Sequence, residues 1–232
     1  MHSLKQKAYG IIKERIISCT YVPGQFLNEA LLMEEIGASR TPIREALSKL
    51  EQEGFVRIVS KKGIEICKLT MSEISDLYQV RLMLEPQIVL QWGQSIPVGD
   101  LEKCRMRLLS YNPGMQAAER NELDDSLHRL IFNSCSNSYL STWMDHLYAQ
   151  NERVRFFTGQ IGRYMEKNNE EHLQILDQLL IGNYADAASL LTEHLEMARK
   201  NTISTLLTME QGKGAAEESR MTFSPESMQG ET

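Results

Sequence analysis

The 232-residue chain has no apolar run approaching the roughly 20 residues that a membrane-spanning helix needs. Its opening residues, Met1-His2-Ser3-Leu4-Lys5, lack the apolar centre of a secretory signal. Its four cysteines (Cys19, Cys67, Cys104 and Cys135) are scattered, with no C-x-x-C pair. That spacing excludes a zinc finger or a disulfide frame and reads as the reduced thiols of a cytoplasmic protein. No tandem repeat is visible, and beyond residue 70 nothing alternates with period two, so that part reads as all-helical. A net positive charge is missing as well: the formal charge is −6. The balance is uneven, however. Residues 1–70 hold 11 Lys+Arg against 8 Asp+Glu, and the remainder holds 14 against 23. The basic character is local, and the acidic remainder suits a second domain kept away from any polyanion. Hydrophobic residues make up 42% of the chain, enough for a packed core.

What the chain does have is a turn, a helix and a stop between Gly37 and Val56. Gly37 can take the positive φ of a tight interhelical turn. Thr41 is placed to cap the following helix, with Pro42 at its first position. Ile43, Ala46, Leu47 and Leu50 recur at three- and four-residue spacing and form one buried stripe. Gly54 ends the helix, and Phe55-Val56 begins an extended segment. Arg40, Thr41 and Arg44 fall at the helix N-terminus, off the stripe, where two cations and a hydroxyl suit phosphates and guanine edges. A helix-turn-helix presents its recognition helix in this way.

The flanking segments complete the unit. Leu4 to about Ser18 is helix-like, where Leu4, Ala8, Ile11, Ile12, Arg15 and Ile16 give a mixed face with an apolar stripe. Tyr21-Val22-Pro23-Gly24 is a turn, and Leu27, Leu31, Leu32 and Ile36 make a second short helix. Val56–Val59 and Ile64–Cys67 are short strands rich in β-branched residues, joined by Ser60-Lys61-Lys62-Gly63. Three helices and a basic hairpin make a winged helix-turn-helix with Lys61, Lys62 and Gly63 as the wing.

These residues carry a resemblance. Pro23-Gly24, Leu27-Asn28-Glu29, the run Ser39 to Leu47, Leu50, Glu53 to Val56 and Gly63 resemble the DNA-binding domain of GntR-type bacterial transcription regulators, over about residues 5–69. The resemblance implies that Arg40, Thr41 and Arg44, with the adjoining Ser39, meet a double-stranded operator and that Gly63 stands at the wing tip; Lys61 and Lys62, which could be a mere solvated turn, are read as contacting the DNA from their place on a hairpin after the third helix. Ala30 stands where some members carry a basic residue, so no contact is expected there.

Thr70-Met71-Ser72-Glu73 is a capping-box pattern that opens the second domain, residues 70–208, after a DNA-binding domain at 1–69. A long helix over 71–95 contains Pro86, which should kink it. Within it, Arg81 and Glu85 stand at i, i+4, the spacing of a surface ion pair worth ~0.3–0.5 kcal/mol. Helices follow over about 100–109, 117–135, 137–165, 170–181 and 184–207, and the Gly-, Ser-, Glu- and Gln-rich tail at 209–232 reads as disordered. His128, His172 and His194 each sit on an apolar stripe of a different helix, which turns them toward the bundle interior. A histidine there is commonly a core residue. Three of them, with Asp124 one turn from His128 on the same side of its helix, also make a candidate divalent-metal set. Such donors suit Zn²⁺ or Ni²⁺, with Mn²⁺ and Fe²⁺ as further options.

Asp124 to His128, Asn137, Glu171-His172 with Leu176, Asn183-Tyr184 and His194-Leu195 resemble the FadR-type (FCD) effector domain, as does Arg81 to Pro86. That resemblance implies a metal on Asp124, His128, His172 and His194, holding a small carboxylic-acid effector, with Arg81 and Asn137 lining the pocket. Asp125, one residue out of register, is expected to be exposed. Trp92-Gly93 departs from the small residues common there. The whole reads as a homodimeric, ligand-responsive regulator with no catalytic residue and no membrane contact. Two alternatives remain: a metal-dependent hydrolase with Glu171 as its base, or a regulator with a purely structural metal and no carboxylate effector.

Overall fold

The computed structural model describes residues 3–159 and 164–221. The N-terminal unit opens with α1 (Leu4–Ile17), which starts at a capping box formed by Ser3 and Gln6. A two-residue strand, β1 (Phe26–Leu27), follows. Leu27 was expected in the second helix. The chain instead stays extended until Asn28, whose side chain accepts from the Ala30 N–H at 2.8 Å and starts α2 (Glu29–Ile36). Gly37 ends that helix with φ 67°, as its position implied. The recognition helix α3 (Arg40–Gln52) begins one residue before the expected cap: Ser39 is the N-cap and makes no side-chain capping bond. Thr41 and Pro42 therefore lie within the first turn, where a missing N–H costs no intrahelical bond. The strands β2 (Val56–Val59) and β3 (Gly63–Ile66) form the hairpin. The sheet order is β1-β3-β2, antiparallel throughout, with Val59 opposite Gly63 and Leu27 opposite Ile64. Ala8, Ile12, Ile16, Ile43, Leu47, Leu50, Phe55 and Ile66 fill the core.

The second unit is a helical bundle of α4 (Met71–Trp92), α5 (Val98–Leu109), α6 (Ala117–Asn133), α7 (Ser138–Thr158), α8 (Met165–Leu180) and α9 (Tyr184–Met221). Thr70 and Glu73 make the expected capping box on α4, and that helix continues through Pro86. The bundle core runs from Ile88 and Val89 through Leu127, Ile131 and Tyr148 to Leu176, Leu191 and Leu195. The last helix runs on to Met221, into the tail read as disordered. Extending an existing helix needs no new nucleus, and Ala215, Ala216, Glu217 and Glu218 are good helix formers. Residues 222–232 lie outside the described residues.

The two units touch through α7. Its Ala149 joins the core of the N-terminal unit, and Gln150 Nε2 donates to the Glu53 carbonyl at 3.4 Å. Arg153 Nη2 donates to the Cys67 carbonyl. A third, small cluster of Ile74, Leu77, Tyr78, Val154 and Leu206 lies behind this seam.

Candidate nucleic-acid interface and metal centre

The exposed end of α3 carries Ser39, Arg40, Thr41 and Arg44, all facing solvent. The hydrophobic stripe of the helix is fully used by the core, which leaves these four to point outward. Glu29, at the start of α2, holds both cations. Its carboxylate accepts from Arg44 Nε at 2.8 Å and Nη2 at 3.2 Å, and it lies 3.5 Å from Arg40 Nε. Both guanidinium groups remain about two-thirds exposed, with side-chain values of 65% and 67%. Glu29 thus sets the fork of Arg44 toward solvent without covering it. Sequence reading noted this residue only as part of a motif, because a pair 15 residues apart has no periodic signature.

The wing tip is Ser60-Lys61-Lys62, with Lys61 at φ 63° and both lysines exposed. Gly63 has a different task. It sits at φ 105°, and a Cβ on it would lie 2.6 Å from the Leu27 carbonyl oxygen. Only glycine lets β3 pass this close to β1. A groove of about 620 Å³ runs between α3 and the hairpin, with Arg44, Ile58, Lys61 and Lys62 among its walls.

The second site lies inside the bundle. His128 comes from α6, His172 from α8 and His194 from α9, and each is at most 5% exposed. One ring nitrogen from each falls within 4.8 Å of the others. The closest approach is His172 Nε2 to His194 Nε2, at 3.1 Å. Carboxylates fix the outer faces of two rings: Glu85 Oε2 lies 2.7 Å from His128 Nδ1, and Glu171 Oε2 lies 2.7 Å from His194 Nδ1. A carboxylate on Nδ1 favours the tautomer that carries its proton there, which turns the opposite nitrogen, Nε2, into the acceptor or ligand atom. Burial pushes the pKa of His128 down, against the pull of Glu85. Burial and then His194 push His172 well below its usual value. Neutral imidazoles are the form that binds a metal. This donor set fits a divalent ion of the Zn²⁺ or Ni²⁺ type.

Asp124 stands beside the histidines but outside that group of nitrogens. Its Oδ2 accepts from Arg155 Nη1 at 2.6 Å, and its Oδ1 accepts from Asn168 Nδ2 at 3.3 Å. Burial would raise its pKa, and Arg155 and the histidines outweigh that and hold it well below the carboxylate range. Asp125 is not exposed, contrary to its expected register. It is 3% exposed and bonded to Arg155 Nη2 at 2.7 Å. The reason is Arg155 on α7, a buried cation that reaches both carboxylates at once.

Arg81 and Glu85 are likewise not a surface pair. They are 3% and 0% exposed, and Arg81 Nε donates to Glu85 Oε1 at 2.6 Å. Burial would raise Glu85; Arg81 and then His128 outweigh it and hold the carboxyl at about 2. Arg81 therefore reaches the histidines through Glu85, and its Nη1 donates to Asn151 Oδ1 at 2.9 Å. Asn137, expected to line the pocket, is exposed and caps α7, accepting from the Tyr139 and Leu140 N–H groups. Glu171, the base of the hydrolase alternative, is committed to His194. No helix among the described residues is long and apolar enough to cross a membrane.

Comparison with known proteins bears on both units. Residues 4–66 match the model for bacterial regulatory proteins of the gntR family, and residues 76–197 match the FCD domain. The Nta operon transcriptional regulator of Aminobacter aminovorans is 29% identical over 183 residues, covering 78% of this chain and 85% of that protein. The HTH-type transcriptional repressor RspR of Escherichia coli K12 is 23% identical over 196 residues, covering 83% and 86%. Among solved structures, a GntR transcriptional regulator from Rhodococcus sp. RHA1 superposes with a TM-score of 0.77 at 20% identity, covering 86% of this chain and 97% of the other.

Proposed function

The chain belongs to the gntR family of bacterial regulatory proteins and carries an FCD domain, and on that premise we propose that it is a cytoplasmic, homodimeric transcription regulator whose grip on an operator answers to a small carboxylic acid. Two reading heads related by a twofold axis suit a near-palindromic site, one half to each. Arg40 and Arg44, with Ser39 and Thr41, read the major groove from the end of α3, and Lys61 and Lys62 hold the adjacent backbone. Gly63 serves by shaping the wing.

In the bundle, His128, His172 and His194 would hold a divalent ion, with Asp124 as the anionic donor. When bound, the ion supplies a fixed positive charge that suits the carboxylate of an effector. The chain's own residues do the rest. Glu85 and Glu171 hold two imidazoles in the right tautomer and orientation. Arg155 and Asn168 hold Asp124. Arg81 holds Glu85 and tethers it to α7 through Asn151. An effector that fits one arrangement of these groups better than another shifts the reading heads by that difference in affinity.

The observation that carries this reading is the convergence of three buried imidazole nitrogens within 4.8 Å, on three helices of a domain joined to a winged helix. Its test is the metal content of untagged protein by elemental mass spectrometry, beside His172→Ala. Near one equivalent of divalent metal per chain is expected in wild type, and a loss in the variant. Wild-type protein that stays metal-free after incubation with Zn²⁺ and Ni²⁺ would reduce the histidines to core residues.

A further inference from the structure

A cavity of about 340 Å³ lies at the seam between the reading head and the bundle, apart from both sites above. Glu53 and Gly54 line it from the head, Leu69 from the connection, Leu77 and Val80 from α4, and Arg153 from α7. Arg153 is 1% exposed. Among the described residues its guanidinium has no carboxylate within 4.0 Å, and its one side-chain hydrogen bond runs from Nη2 to the Cys67 carbonyl. Its Nε has no partner, and neither does the buried Nδ1 of His146, which lines the same cavity. A guanidinium offers five donors and keeps its proton, so a buried one without a counter-charge is costly to the fold. Two residues of one cavity wall that each keep an unpartnered polar atom are exceptions that call for a cause. Glu73 lines the same cavity and acts on Arg153 through space without forming an ion pair with it.

We propose that this cavity is a second small-molecule site, for a carboxylate with an apolar body. The carboxylate takes the Arg153 guanidinium and the Nδ1–H of His146, and the body lies on Leu77, Val80 and Val154. Of the other charged groups in its wall, Glu53 is already bonded to Tyr9 and Lys13, and Glu73 to Thr70, while Asp76 and Lys68, of opposite charge, have no ion-pair partner among the described residues. Because head, connection, α4 and α7 all contribute walls, an occupant ties the reading head to the bundle. This site needs no metal, which separates it from the histidine site.

The test uses full-length protein and benzoate as probe, followed by ligand-observed saturation-transfer NMR. Saturable benzoate binding is expected in wild type, unchanged after metal is stripped with EDTA, and stronger than binding of benzyl alcohol. Val80→Trp fills the cavity and leaves Arg153 in place, and it should abolish binding. Arg153→Gln should weaken it at least about tenfold, the equivalent of one hydrogen bond to a charged group. Retention of binding in a folded Val80→Trp protein overturns the proposal. So does retention in Arg153→Gln, loss on metal removal, or the absence of saturable binding in wild type. Should Arg153→Gln fail to fold, the Val80→Trp result decides alone.

Discussion

Replacing Glu85 by Gln removes one charge from a fully buried trio, and the geometry sets the size of the effect. Glu85 Oε1 accepts from Arg81 Nε at 2.6 Å, and Oε2 pairs with His128 Nδ1 at 2.7 Å. A glutamine can turn its oxygen to one of them only. Its amide N–H₂ must then face the other: opposite Arg81 that is a donor against a donor, and opposite His128 it is accepted only if the ring moves its proton from Nδ1 to Nε2. Arg81, 3% exposed, is left with the neutral Asn151 as its one other side-chain hydrogen-bond partner among the described residues. Removing one partner of a buried pair costs about 3–5 kcal/mol. The depression of the Glu85 carboxyl from 4.5 to about 2 gives a similar figure, roughly 3 kcal/mol. For a domain of this size, ~3 kcal/mol lowers the melting temperature by roughly 6–12 °C. The assay is urea unfolding of wild type, Glu85→Gln, Arg81→Met and the double variant Arg81→Met/Glu85→Leu. A shift of midpoint at constant slope reports stability. The double variant should recover part of the single-variant loss, because it removes the stranded charge along with its partner. A Glu85→Gln protein within about 1 kcal/mol of wild type, or a double variant as damaged as the summed singles, would refute the view that this trio is an interdependent buried network.

The other predictions concern the reading head. Arg44→Ala should weaken specific operator binding by ~1–3 kcal/mol and relax discrimination at one base pair, whereas Lys61→Ala should act evenly across sequences and lower the salt slope by about 1. Titrations of operator and scrambled DNA at several salt concentrations separate the two. Gly63→Ala should destabilise the head by ~1–3 kcal/mol, since its φ of 105° and the Leu27 carbonyl oxygen 2.6 Å away both oppose a Cβ. A thermal melt unchanged by this substitution would contradict the packing assigned to the wing. Glu53 titrates low because its bonds to Lys13 and Tyr9 outweigh its burial. A depressed carboxyl stabilises the fold above its ordinary pKa of 4.5 and loses that contribution as pH falls through its native value. The stability gap between wild type and Glu53→Gln should therefore be open at neutral pH and close under acid. A gap independent of pH would mean that the Tyr9–Lys13–Glu53 cluster is not electrostatic in origin.

Much of the fold could be read from residue spacing alone. The stripe Ile43, Ala46, Leu47 and Leu50 is short-range and periodic, so the recognition helix and its outward arginines followed directly. The three histidines were legible for the same reason: an apolar stripe tells which side of a helix is buried. What failed to show was charge in the interior. Arg81 and Glu85 carry the same i, i+4 signature on a surface as in a core. Asp125 is drawn inward by Arg155, thirty residues away along the chain, and no local pattern records that. Asn137 had a local signal, an asparagine just before a helix, and its capping role outweighed a place in the pocket. The strand at Phe26-Leu27 is too short to show alternation and exists through its pairing with β3.

The two faces of α7 carry a consequence for anyone who would recombine these domains. Tyr148, Asn151 and Arg155 turn toward the histidine site, bonding the His128 carbonyl, Arg81 and the Asp124–Asp125 pair. Ala149, Gln150 and Arg153 turn toward the reading head. The boundary between the two units is therefore not a cut in the chain near Thr70. Part of the reading head's foundation is encoded some eighty residues downstream, in the middle of the other unit. A chimera that joins residues 1–69 to a foreign bundle discards that foundation. One that also transplants the head-facing positions of α7 keeps it, and such a graft must preserve helical phase, since one inserted residue turns the two faces by about 100°.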